Sequence, residues 1–166
     1  MSLALSNERT YALRGQLTIP SCDAHVLERE LSVGHHPGFH IEEVDPMFIT
    51  IYGGRQSISP PRVVQMFGFE QNWADRAIIE ELGGRGLCRM LPGTFRNMLE
   101  EFWPIARSGM DRRISLACLF GSSIYQCDHM VTVIMGRKGY CITCPEYYPS
   151  QGRFDPNVWF ALPLKI

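Results

Sequence analysis

The stretch from Ile114 to Tyr148 constrains this chain most, because it reads as successive β-strands separated by turn signals. In Ile114–Phe120 every second residue (Ile114, Leu116, Cys118 and Phe120) is apolar, which in a strand places all four on one face. Gly121-Ser122-Ser123 breaks that run. A second apolar run, Met130–Met135, stops at Gly136-Arg137-Lys138-Gly139, and Tyr140–Cys144 resumes it. With Arg137 and Lys138 as the loop of a hairpin, position 135 pairs with 140, 133 with 142, 131 with 144, 129 with 146 and 127 with 148. One face then carries Cys127, His129, Val131, Val133, Met135, Tyr140, Ile142, Cys144, Glu146 and Tyr148, apolar near the turn and polar far from it.

The flanking segments read as partners of this unit. Thr10–Ile19 alternates as a half-buried strand ended by Pro20, and Ser21 is placed to cap a helix from Cys22 to about Leu31. Phe39–Val44 and Met47–Tyr52 read as two strands around an Asp45-Pro46 turn, after a Gly34–Gly38 loop. Ser59-Pro60-Pro61 resembles a helix start, predicting a short helix through Phe67. Asn72 is placed to cap a helix carrying Trp73, Ala77, Ile78 and Leu82, closed by Gly83-Gly84. Thr94 is placed to cap the next, whose stripe is Phe95, Met98, Leu99 and Phe102, with Pro104 kinking or ending it. Val158–Leu164 alternates as a strand, expected at a sheet edge because Pro163 lacks an amide.

At 166 residues the chain suits one domain, residues 1–166, large enough to bury roughly two thirds of its unfolded surface without a staple. The apolar content of 45% argues against a disordered chain. Sixteen basic and 17 acidic residues leave a net charge of −1, which supplies no overall field for nucleic acid or anionic lipid. No apolar run approaches a membrane span, and Met1–Thr10 lacks a signal-peptide pattern, so a cytoplasmic protein is expected. Six cysteines lie within apolar runs and read as reduced, mostly buried thiols.

Two clusters carry possible metal chemistry. Cys127, His129, Cys141 and Cys144 are zinc-ligand types, but Cys141 and Cys144 are three apart in a strand and so point to opposite faces. No metal is expected there. His35, His36 and His40 with Glu42, Glu43 and Asp45 read as a solvated loop in which adjacent histidines diverge. Gly53-Gly54-Arg55 and Gly83-Gly84-Arg85-Gly86 lack the order of a phosphate-binding loop or a dinucleotide fingerprint. The G-x-S-x-G, H-E-x-x-H and H-x-E with P-C-x-x-C signatures are absent.

Leu99–Trp103 and Glu146–Pro149 resemble short segments of protein tyrosine phosphatases. Such an enzyme places arginine six positions after its attacking cysteine, whereas the residues six after each cysteine here are Glu28, Thr94, Ile124, Val133, Tyr147 and Ser150. The activity is therefore not carried over.

Together these readings predict an α+β domain: a mainly antiparallel sheet built from both ends of the chain, covered on one face by helices between Pro60 and Arg107. The expected function is non-enzymatic binding of a small molecule or protein partner, without cofactor, nucleic acid or membrane. His129, Glu146, Cys127 and Tyr148 would line the mouth of a pocket floored by Val131, Val133, Tyr140 and Ile142. The alternative is a small enzyme with a His/Glu or Cys/His site on the 125–148 hairpin.

Overall fold

The computed structural model describes residues 11–23, 27–54, 58–69, 75–108, 114–122, 127–144 and 157–165, with backbone alone for 75–76, 122 and 127–129. Among the described residues, eight strands share one sheet in the order β1-β4-β8-β5-β6-β7-β3-β2. These are β1 (Tyr11–Ile19), β2 (Gly34–His36), β3 (Phe39–Val44), β4 (Arg62–Phe69), β5 (Ser115–Ser122), β6 (Cys127–Met135), β7 (Tyr140–Thr143) and β8 (Val158–Pro163). Four helices among the described residues complete the α+β fold: α1 (Leu27–Glu30), α2 (Pro46–Tyr52), α3 (Asp75–Gly84) and α4 (Pro92–Ser108). The sheet is mixed, since β3–β7 and β5–β8 pair in parallel while the other five pairings are antiparallel. Among the described residues no helix is long and apolar enough to cross a membrane.

The hairpin read from the sequence is present in its expected register, with Met135 opposite Tyr140 and Val133 opposite Ile142. Gly136 N–H donates to Gly139 O at 2.8 Å and closes the turn. Leu116, Cys118 and Phe120 lie on one buried face of β5, and Ile114 packs against the same cluster. Above this face sit Phe95, Met98, Leu99 and Phe102 of α4, Phe48, Ile51 and Tyr52 of α2, and Leu27 of α1. The stripe expected on α4 is therefore correct in phase. The helix starts at Pro92, two residues ahead of Thr94, and runs through Pro104 to Ser108.

The expectation that helices cover one face does not hold. Ala117 and Leu119 of β5, Phe67 and Phe69 of β4, and Phe160 and Leu162 of β8 form a second core with Ile78 and Leu82 of α3. The sheet is buried on both faces around β4, β8 and β5, with α3 opposite the other helices. α3 is closed by Gly86 at φ +82° and not by Gly83-Gly84. Gly86 N–H donates to Gly83 O and Leu87 N–H to Leu82 O, the two hydrogen bonds of a Schellman terminus, with Leu87 and Leu82 buried together.

Four further expectations are corrected. Met47–Tyr52 is helical because Asp45 caps it, its carboxylate accepting from Met47 N–H at 2.9 Å with Pro46 in the first turn. Its buried residues Phe48, Ile51 and Tyr52 follow helical spacing. Residues 62–69 are a strand, not a helix, with Val64 and Met66 in one core and Phe67 and Phe69 in the other. The helix-start pattern before it is extended instead: Ser59 bridges Cys22, as a residue preceding proline favours. Cys22 is consequently in that bridge and not in the helix expected over Cys22–Leu31, of which the described residues show Leu27–Glu30. Finally, β8 is central, between β4 and β5. Pro163 is tolerated there because β5 pairs only with Val158–Phe160, and beyond them the segment after α3 takes over, Cys88 N–H donating to Pro163 O.

Candidate functional site

β3 joins the hairpin through an irregular parallel pairing: Ile41 is opposite Tyr140 and Glu43 opposite Cys141, so Glu42 is an extra residue. A bulge of this kind shifts side-chain parity. Ile41 lies in the α4-side core and Val44 packs against it, although they are three apart. Glu42 is left to reach the β6–β7 turn, where its Oε2 accepts from the N–H groups of Lys138 at 3.0 Å and Gly139 at 3.4 Å. Those two bonds hold its carboxyl below the usual range, against an opposing effect of desolvation. A side chain at Gly139 would collide with the backbone of His40, so glycine is required there by close approach, whereas one at Gly136 would displace the Glu42 carboxylate.

Residues 34–41 form a hairpin with Pro37-Gly38 at its tip and Gly38 at φ +88°. His35 pairs with His40, their Nδ1 atoms 3.0 Å apart and their ring centroids 4.2 Å apart. His36 faces the other way, stacked on Phe39 at 5.0 Å with Nε2 2.6 Å from Ser32 O. The adjacent histidines thus diverge as expected, but the pairing of His35 with His40 was missed. Its signal was the Pro-Gly turn flanked by residues 36 and 39. Arg96 of α4 holds this hairpin against the core, its guanidinium 5.2 Å over the Phe39 ring and bonded to Glu30 and Glu100.

The thiols of Cys118, Cys141 and Cys144 are held in the protonated form. Cys141 is half-buried on the outer face beside Glu42 and Glu43, while Cys144 is buried in the α4-side core, so the two diverge as strand parity requires. Burial and Asp45 push the Cys144 thiol up to about 11, and burial alone raises Cys118. A nucleophilic or metal-binding cysteine needs the opposite shift.

Of the residues expected at a pocket mouth, β6 places the backbone of His129 opposite Phe120 and that of Cys127 opposite Ser122. The side chains of Cys127 and His129, and all of Glu146 and Tyr148, lie outside the described residues. Their expected floor is corrected: Val131, Val133, Tyr140 and Ile142 are closed core on the α4 side, where Tyr140 Oη donates to Leu99 O at 2.8 Å.

A cavity of about 280 Å³ instead opens where β1, β4 and the end of β8 meet, lined by Thr18, Pro61, Arg62, Val63, Leu164 and Lys165. Arg62 Nε is buried and has no hydrogen-bond partner among the described residues, and its Nη1 makes only a long 3.5 Å contact to Leu164 O. Sequence reasoning missed this site, because Arg62 fell in a predicted helix. Comparison with protein-family models, with curated proteins and with solved structures finds no match to this chain.

Proposed function

We propose that the protein is a non-enzymatic binding protein whose cavity beside Arg62 takes a small anionic ligand. The supporting observation is the buried Arg62 Nε–H without a partner. A buried donor left unpaired is costly, and a guanidinium is matched best by carboxylate or phosphate oxygens. Lys165 adds a second cation, no acidic residue lines the cavity among the described residues, and Pro61, Val63 and Leu164 supply apolar wall. Apolar walls with a few polar groups are what small-ligand sites combine. The volume sits near the lower end of the range for such sites, roughly 300–1,000 Å³, which favours a compact ligand. The raised thiols of Cys118, Cys141 and Cys144 favour binding over nucleophilic catalysis.

Inorganic phosphate and succinate are suitable probes, read by calorimetry and by thermal shift. One of them at 100 times its dissociation constant raises stability by about 2.7 kcal/mol. Arg62→Met should abolish the shift, and Lys165→Gln should weaken binding. Equal affinity of wild type and Arg62→Met, or no binding of either anion to wild type, refutes the proposal.

A further inference from the structure

We propose that His35 and His40 form a transition-metal site on the outer face of the β2–β3 hairpin. The two imidazoles face each other through Nδ1 at 3.0 Å. At metal–nitrogen distances of about 2.0–2.1 Å, two nitrogens subtending a right angle lie about 2.9 Å apart and a tetrahedral pair about 3.3 Å. The observed separation falls between these values, so little movement is needed to admit an ion.

The placement of both rings is determined by the fold. Register puts His35 opposite His40, and Pro37-Gly38 fixes the turn. Gly38 lies close against Glu100 of α4, and His40 lies against Gly139. The hairpin is therefore clamped from both sides, and the pair is preorganised.

Among the described residues no third His, Cys, Asp or Glu completes the pair. Glu42, the nearest carboxylate along β3, is engaged by the turn amides of Lys138 and Gly139. The site is consequently a two-imidazole site whose remaining coordination positions go to water or an exogenous ligand. An imidazole pair suits Cu²⁺, Ni²⁺ and Zn²⁺ rather than Ca²⁺ or Mg²⁺, and Cu²⁺ should bind most tightly. This inference is independent of the Arg62 cavity.

The experiment titrates untagged, chelator-treated protein with Cu²⁺, Ni²⁺ and Zn²⁺ by calorimetry, and records the electron paramagnetic resonance spectrum of the Cu²⁺ form. One Cu²⁺ per chain with two nitrogen ligands is expected. His35→Gln and His40→Gln should each weaken it at least tenfold, whereas His36→Gln should leave it unchanged. Unaltered affinity in both the His35 and His40 variants overturns the site. If either variant fails to fold, the wild-type spectrum decides, and fewer than two nitrogen ligands overturns it equally.

Discussion

Phe120 is the residue whose truncation tests the α4-side core most directly. It stands on β5, in the middle of the sheet, with 1% of its surface exposed. Its ring centroid lies 4.9 Å from Tyr52, 5.2 Å from Phe95 and 5.7 Å from Phe48, with the last two contacts edge-to-face. One side chain therefore joins the sheet to both α2 and α4. Truncating a buried phenylalanine to alanine costs about 3–5 kcal/mol, and aromatic pairs add about 0.5–1.5 kcal/mol each beyond area burial. Phe120→Ala should sit at the top of that range, about 5 kcal/mol. Phe120→Leu keeps most of the volume and loses only the ring geometry, so about 1.5 kcal/mol is expected. Urea unfolding followed by circular dichroism and tryptophan fluorescence measures both. Because a loss of 5 kcal/mol approaches the whole stability of some domains, the leucine variant also enters a cycle with Phe95→Leu, where a coupling of about 0.5–1.5 kcal/mol is expected. A Phe120→Ala loss below about 2 kcal/mol, or no coupling to Phe95, would refute the packing argument.

Two further outcomes follow from polar groups. Asp45→Ala should cost about 1–2 kcal/mol in denaturant unfolding, since Asp45 caps α2 and its Oδ2 also accepts from Cys144 N–H at 3.3 Å, while Asp45→Asn should recover most of the loss. Glu42 has a folded-state pKa below its unfolded value, so its contribution is present above the unfolded value and lost as pH falls through the folded one. Stability measured from about pH 6 to pH 3 should therefore fall more steeply in wild type than in Glu42→Gln, and parallel curves would show that the turn amides do not hold the carboxylate.

What the sequence made legible depended on whether period or context decided the element. β1, β3 and the β6–β7 hairpin were readable as strands, but a register shift at Arg14 puts Tyr11 in the α3-side core and Leu17 and Ile19 on the α4 side, and the bulge at Glu42 breaks the alternation of β3, so the hairpin alone of these three kept its expected faces. The stripe on α4 was readable for the same reason at helical period. Residues 47–52 and 62–69 were exchanged between helix and strand. In the first, alternating Phe48, Thr50 and Tyr52 with β-branched neighbours concealed the cap supplied by Asp45. In the second, a strand buried on both faces loses its alternation and resembles any apolar run. The central position of β8 was hidden because Pro163 is costly only if a neighbour needs its amide, which depends on where β5 ends. The candidate sites fared similarly. His35 and His40 are brought together by a hairpin whose turn was visible but read as loop, and Arg62 becomes orphaned only once β4 is a strand.

The supply of helices also explains why the outer face divides in two. At about 4.8 Å between strands, an eight-stranded sheet is about 34 Å wide, whereas a helix with its side chains is about 10 Å across. One ten-residue helix, α3, can close over only two or three strands. Its apolar partners are indeed confined to β4, β8 and β5, with Met130 of β6 and flanking residues. The strands beyond present Thr132, Ile134, Cys141, Thr143 and Glu43 at least partly open to solvent, with His35 and His40 further out. Polarity on that half therefore needs no ligand to account for it, because no described helix covers it. The distance between the two Nδ1 atoms is different in kind. An uncovered face requires only that its side chains be soluble, whereas two imidazole nitrogens 3.0 Å apart must share a proton or an ion.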